Sequence, residues 1–153
     1  MRLLVDTNVL LRRADRDSPD SSVCADAVDS LLQAGEDPCV CAQILIEFWA
    51  VSTRPREVNG LGLTLAVASR QVADFRETFT CLSEPPDMAD RWQEVAEKHA
   101  VTGKQAHDAR SVALMLAHGV THLITLNIDD FSCYHEITPV APGDVLGIGN
   151  KKR

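Results

Sequence analysis

The sequence predicts an α/β domain built on a mostly parallel central sheet. Two observations carry that expectation. Short apolar runs alternate with longer stretches of helical periodicity, the pattern of strands separated by helices, and neither an internal repeat nor a low-complexity linker interrupts them. At 153 residues, 45% hydrophobic and 24% charged, the chain reads as one domain, 1–153, able to bury a core without disulfide staples.

The elements follow in order. Arg2 to Asp6 is the first strand, and Thr7 or Asn8 caps a short helix before the polar loop Ala14–Asp20. Ser21 or Ser22 caps a helix carrying Cys24, Val28 and Leu31 at spacings of four and three, stopped near Gly35. Pro38–Cys41 is a second strand, and residues 43–53 are a third helix ended by Arg54-Pro55. Beyond a loop with Asn59-Gly60 and Gly62, Leu65, Ala68, Val72, Phe75 and Phe79 share one helical face. Thr80–Leu82 is a strand, and Asp87 caps a helix with Met88, Trp92 and Val95 on one side. Residues 105–118 form the next helix, closed by Gly119. His122–Thr125 is a strand. Asn127–Phe131 is a short helix whose Asn127 and Asp130 are spaced as a capping box, and Ile137–Val140 is the last strand. Residues 143–153 read as a flexible tail.

Composition excludes several classes. No apolar run approaches the ~18 residues of a spanning helix, and the first residues lack a basic segment followed by a long apolar stretch. A cytoplasmic protein without a membrane anchor is expected. The five cysteines include one C-x-C pair, Cys39 and Cys41, and no C-x-x-C, so reduced thiols are expected rather than a zinc site. A net charge of −7, with three of the fifteen basic residues in Lys151-Lys152-Arg153, argues against a broad electrostatic nucleic-acid binder. An enzyme of this charge acting on nucleic acid needs metal ions and a few local basic residues.

Four acids stand where a lone carboxylate is costly. Asp6 ends Leu3-Leu4-Val5, Glu47 interrupts the apolar stripe of Ile44, Phe48 and Val51, Asp108 opens a helix in line with Val112 and Met115, and Asp130 follows a strand. Each has a structural alternative. Asp6, Thr7 and Asn8 are all good helix caps, and Glu47 can sit at a wet helix edge. A helix N-terminus favours Asp108 by ~0.3–1 kcal/mol, and Asp130 can close the capping box. Brought together beyond the carboxyl ends of a parallel sheet, where open α/β folds bind ligands, carboxylates have a common solution in a hard divalent cation. His107-Asp108 is also similar to the dyad of HD phosphohydrolases. Those need further spaced histidines, which His99, His118, His122 and His135 do not supply.

The ordered set Asp6-Thr7-Asn8, Glu47, His107-Asp108-Ala109-Arg110 and Thr125-Leu126-Asn127-Ile128-Asp129-Asp130-Phe131 resembles the PIN-domain nucleases. More narrowly, it is similar to the VapC-type toxins of bacterial toxin–antitoxin pairs. That resemblance implies a three-layer αβα fold and a Mg²⁺- or Mn²⁺-dependent endoribonuclease. Asp6, Glu47, Asp108 and Asp130 would be the catalytic and metal-binding acids, with either Asn127 or Asp130 completing the set. Thr7, Asn8, Thr125 and Asn127 would supply hydrogen bonds around them. Arg12, Arg13, Lys104 and Arg110 would face RNA, with Arg54 and Arg56 on a nearby loop. The resemblance also implies an antitoxin partner and a homodimer. Two alternatives remain at this stage: another α/β metal phosphohydrolase, with Asp6 as nucleophile but Asn8 where a second Asp is wanted, and a non-catalytic partner-binding domain.

Overall fold

The computed structural model describes residues 1–148. Five strands, β1 (Arg2–Val5), β2 (Asp37–Cys41), β3 (Thr80–Leu82), β4 (His122–Ile124) and β5 (Thr138–Val140), form one parallel sheet in the order β3-β2-β1-β4-β5. β1 is central: Leu3 lies opposite Pro38 on one side and His122 on the other. Leu3, Leu4 and Val5 are fully buried, as an apolar strand covered on both faces requires. The edge strands β3 and β5 have only three residues each, which limits the unpaired backbone they expose.

Seven α-helices accompany the sheet: α1 (Thr7–Ala14), α2 (Ser21–Gln33), α3 (Ala42–Thr53), α4 (Leu65–Thr78), α5 (Met88–Lys98), α6 (Ala106–Ala117) and α7 (Pro142–Ile148). α5 and α6 pack on each other, while α1, α2, α3, α4 and α7 form a second connected group. Right-handed crossovers put these groups on opposite faces, giving the three layers the resemblance implied. Phe48 of α3 meets Phe75 of α4 edge-on, with centroids 4.9 Å apart, and Phe75 stacks on Phe79 at 5.9 Å. Cys24, Cys39 and Cys41 are buried free thiols. Burial pushes Cys24 up to about 11 and Cys39 up to about 12, so both behave as small core residues. Among the described residues no helix is long and apolar enough to cross a membrane.

Several local expectations change. The cap position of α2 is Asp20, and Ser21 and Ser22 already lie in its first turn. The cap of α1 is Asp6, whose own carboxylate takes the Thr7 amide; Thr7 and Asn8 already lie in the first turn. The face of α4 is shorter than its periodicity implies, because Leu65 is 66% exposed where the helix overhangs its neighbours. No capping box forms at Asn127, since the Thr125 hydroxyl accepts the Asn127 amide instead and the Asn127 side chain caps nothing. The tail expected from residue 143 is helical through Ile148: α7 packs against α2 and buries Val145. The rest of that tail falls outside the described residues.

Candidate active site

Strand order reverses between β1 and β4, and the carboxyl ends of these two strands flank the crevice where open α/β sheets place ligands. Asp6 leaves β1 there. Its amide still donates to the Ile124 carbonyl at 2.9 Å, so the backbone that carries the carboxylate is an extension of the sheet. One carboxylate oxygen accepts the Thr7 amide at 2.8 Å; the other accepts the Thr125 hydroxyl at 2.7 Å and the Asn8 amide at 3.1 Å. Thr125, at the end of β4, is fully buried. Asn8 also donates to the Thr125 hydroxyl at 3.2 Å, while its carbonyl accepts the Leu126 amide at 3.2 Å. The central strands are thus locked together around one carboxylate. Burial lifts the Asp6 carboxyl above its ordinary value, the bonds from Thr125, Thr7 and Asn8 oppose the rise, and the Glu47 charge adds to it.

Glu47 is fixed at both oxygens. It accepts the Thr7 hydroxyl at 2.8 Å and the Gln43 amide at 2.9 Å. Gln43, one turn earlier on α3 and only 8% exposed, also donates to the His107 carbonyl at 3.1 Å. This single side chain orients Glu47 and ties α3 to the start of α6. Sequence reasoning missed it; the signal available was its i, i+4 spacing from an acid in an apolar stripe. The Gln43 carbonyl oxygen is buried without a hydrogen-bond partner among the described residues.

Asp108 lies in the first turn of α6, half-buried, and no hydrogen bond from a described residue reaches its carboxylate. Its carboxyl is pushed up to about 6, first by burial and then by the charges of Asp6, Asp130 and Glu47, with His107 opposing. The four acids therefore feel one another. Asp130 is the exposed member, carried on the 3₁₀ turn Ile128–Phe131, whereas Asn127 contributes a backbone bond to Thr125. Among the described residues, no three His, Cys, Asp or Glu side chains converge tightly enough as they stand to hold an ion. The donor set nonetheless suits a hard cation: all oxygen, mutually repelling, and including a half-buried carboxylate with no donor of its own.

The basic residues divide. Arg12 is exposed on α1, and Lys104 is exposed in the turn before α6; neither makes an ion pair among the described residues. Arg110 is engaged by Glu84, two positions around α6 from Asp108, so the structure does not bring it to the acids. His99 is a core residue, stacked edge-on to Tyr134 at 5.0 Å and held by Glu136.

The sequence model of the PIN domain family matches residues 3–134, a span that runs from β1 past all four acids. The chain is a PIN domain. It is 28% identical to Ribonuclease VapC24 of Mycobacterium tuberculosis over 137 residues, which covers 85% of this chain and 89% of that protein. Among solved structures, VapBC2 from Rickettsia felis bound to a promoter DNA fragment superposes with a TM-score of 0.66 at 16% identity, covering 92% of this chain and 98% of the other. PAE2754 from Pyrobaculum aerophilum gives 0.64 at 17%, covering 100% and 97%, and VapBC-1 from nontypeable Haemophilus influenzae gives 0.66 at 15%, covering 93% and 98%. At identities this low the superpositions show a shared fold. In this PIN domain the acids, their hydrogen-bonded supports and the topological crevice coincide.

Proposed function

We propose that this PIN domain is a metal-dependent endoribonuclease and the toxin of a toxin–antitoxin pair. The observation that carries the reading is Asp108, a half-buried carboxylate with no hydrogen bond from a described residue, whose carboxyl is raised by burial and by the charges of Asp6, Asp130 and Glu47 at the mouth of the central strands. Asp6, Asp108, Glu47 and Asp130 would hold Mg²⁺ or Mn²⁺. Such an ion, when bound, lowers the pKa of a water and offsets charge on a phosphoryl group. The chain's own part is orientation. Thr125, Asn8 and the Thr7 amide fix Asp6, while Thr7 and Gln43 fix Glu47. That leaves Asp108, half-buried and without a hydrogen-bond donor among the described residues, as the acid whose charge a cation would answer, with the exposed Asp130 beside it. Asp6 as a covalent nucleophile is disfavoured, because Asn8 stands where that chemistry wants a second Asp and its side chain instead supports Asp6.

The ribonuclease relative and the VapBC complexes of like fold support the RNA substrate and an antitoxin partner. A homodimer and a cytoplasmic setting belong to the same reading. Incubation of total RNA with the purified chain tests it: cleavage with Mn²⁺ or Mg²⁺, none with EDTA, and background cleavage by Asp6→Asn and Asp108→Asn of unchanged circular dichroism. Undiminished cleavage by either variant removes the site.

A further inference from the structure

A cleft of about 330 Å³ opens beside the acids, between α1 and the loop that joins α3 to α4. Asn8, Arg12 and Asp15 line one side; Arg56, Asn59 and Leu61 line the other. Asn8 belongs to both places, because the side chain that supports Asp6 and Thr125 also borders the cleft.

The loop wall is built rather than slack. The Gly60 amide donates to the Pro55 carbonyl at 3.0 Å, the Leu61 amide to Val51 at 3.1 Å and the Gly62 amide to Arg54 at 2.8 Å. Asn59 holds φ +63°, a left-handed conformation that asparagine tolerates better than most residues. At Gly60 a Cβ would lie 1.9 Å from the Arg54 carbonyl oxygen, so no other residue fits there without movement. A preformed wall with a few placed polar groups is how small-ligand sites are made.

The polar groups are already sorted by task. Arg56 lies 3.5 Å from Asp15 and 3.7 Å from Asp17, which balances its charge and leaves its planar guanidinium exposed at the cleft. Planar guanidinium groups stack on bases. Arg12, one turn along α1 from Asn8, has no acidic partner among the described residues and can answer a phosphate. The exposed Asn59 amide makes no hydrogen bond with a described residue and offers both donors and an acceptor, the equipment for a base edge.

We propose that this cleft is a nucleotide subsite: it takes the nucleotide of single-stranded RNA that adjoins the phosphate presented to the acids, with Arg12 at its phosphate, Arg56 against its base and Asn59 at the base edge. The assignment rests on the ribonuclease reading above. The cleft joins these polar groups to the apolar side chains Leu11, Val51 and Leu61 and is the size of one nucleotide. An apolar surface suited to protein docking lies elsewhere, on Leu45, Ile46, Trp49, Ala50 and Val72.

Photo-cross-linking tests it without turnover. The intact chain in EDTA is irradiated with a random-sequence single-stranded RNA carrying 4-thiouridine, and the modified peptides are mapped. Cross-links are expected on residues 8–15 and 54–62. Arg12→Gln and Asn59→Gly should each cut them roughly tenfold, the scale of one lost phosphate or base contact. Glycine at 59 keeps the positive φ while removing the amide, and equal melting temperatures certify the fold. Cross-links elsewhere, no cross-links, or yields unchanged by both variants would overturn the subsite, even where Mn²⁺-dependent cleavage is intact. Cross-links in the cleft without any cleavage would support the subsite and remove the hydrolytic reading.

Discussion

Burial and three neighbouring carboxylates raise the Asp108 carboxyl to about 6, where 3.8 is usual. A carboxyl raised on folding binds its proton more tightly in the native state than in the unfolded chain. Its contribution to stability is therefore complete below about pH 4 and is lost as pH rises through about 6. At neutral pH, without metal, Asp108 destabilises the fold that carries it. Asp108→Asn in EDTA at pH 7.5 is expected to melt a few degrees above the unsubstituted chain, the effect of ~1 kcal/mol in a domain of this length once solvent screening is allowed for. The gap should narrow as pH falls through about 6 and close near pH 4. Thermal denaturation at both values checks this, and a variant that melts lower at pH 7.5 would mean that Asp108 already has a stabilising partner. Stability given up at a functional group is a common trade. Glu47 was legible in the sequence for a related reason, since an acid in an apolar stripe breaks the pattern of its helix. Gln43 was legible only by half: its i, i+4 spacing from Glu47 is local, but its second partner, the His107 carbonyl, is 64 positions away in sequence.

The element that most constrains the site's surroundings is the loop from Arg54 to Leu63. Its tight turn depends on Gly60, where an added Cβ would meet the backbone of Arg54 at 1.9 Å. Gly60→Ala should cost ~1–3 kcal/mol, the range of overpacking against atoms that cannot swing aside, seen as a lower urea midpoint with an unchanged slope. A midpoint within error of the unsubstituted chain would show that the turn relaxes freely and that the cleft wall is soft. The elements themselves were largely legible: β1, the body of α2 and the span of α4 follow from apolar spacing and turn residues. Their ends were decided by tertiary partners. Asp6 caps α1 because β4 delivers Thr125 to hold the other face of its carboxylate. The Asn127 capping box fails because that same hydroxyl takes the Asn127 amide. α7 was not legible because the α2 surface that receives it is not visible from the segment alone.

For the whole molecule, a net charge of −7 sets how RNA can be held. Several guanidinium groups are already matched to acids: Arg2 to Asp37, Arg13 to Asp29, Arg56 to Asp15, Arg91 to Asp87 and Arg110 to Glu84. At the rim of the acids this leaves Arg12 and Lys104 without an ion pair among the described residues. Two phosphate contacts on a single strand correspond to a slope of about −1.4 in log affinity against log salt. Binding of a fluorescent single-stranded RNA to the full chain, titrated with KCl at fixed Mg²⁺, should therefore show a slope near that value, falling by about half for either Arg12→Gln or Lys104→Gln. A slope steeper than about −3.5 would require five or more contacts. The grip would then draw on basic residues other than Arg12 and Lys104. A shallow slope would place specificity in the crevice, with the cation and a few fixed side chains doing what a broad basic surface does in other nucleic-acid binders.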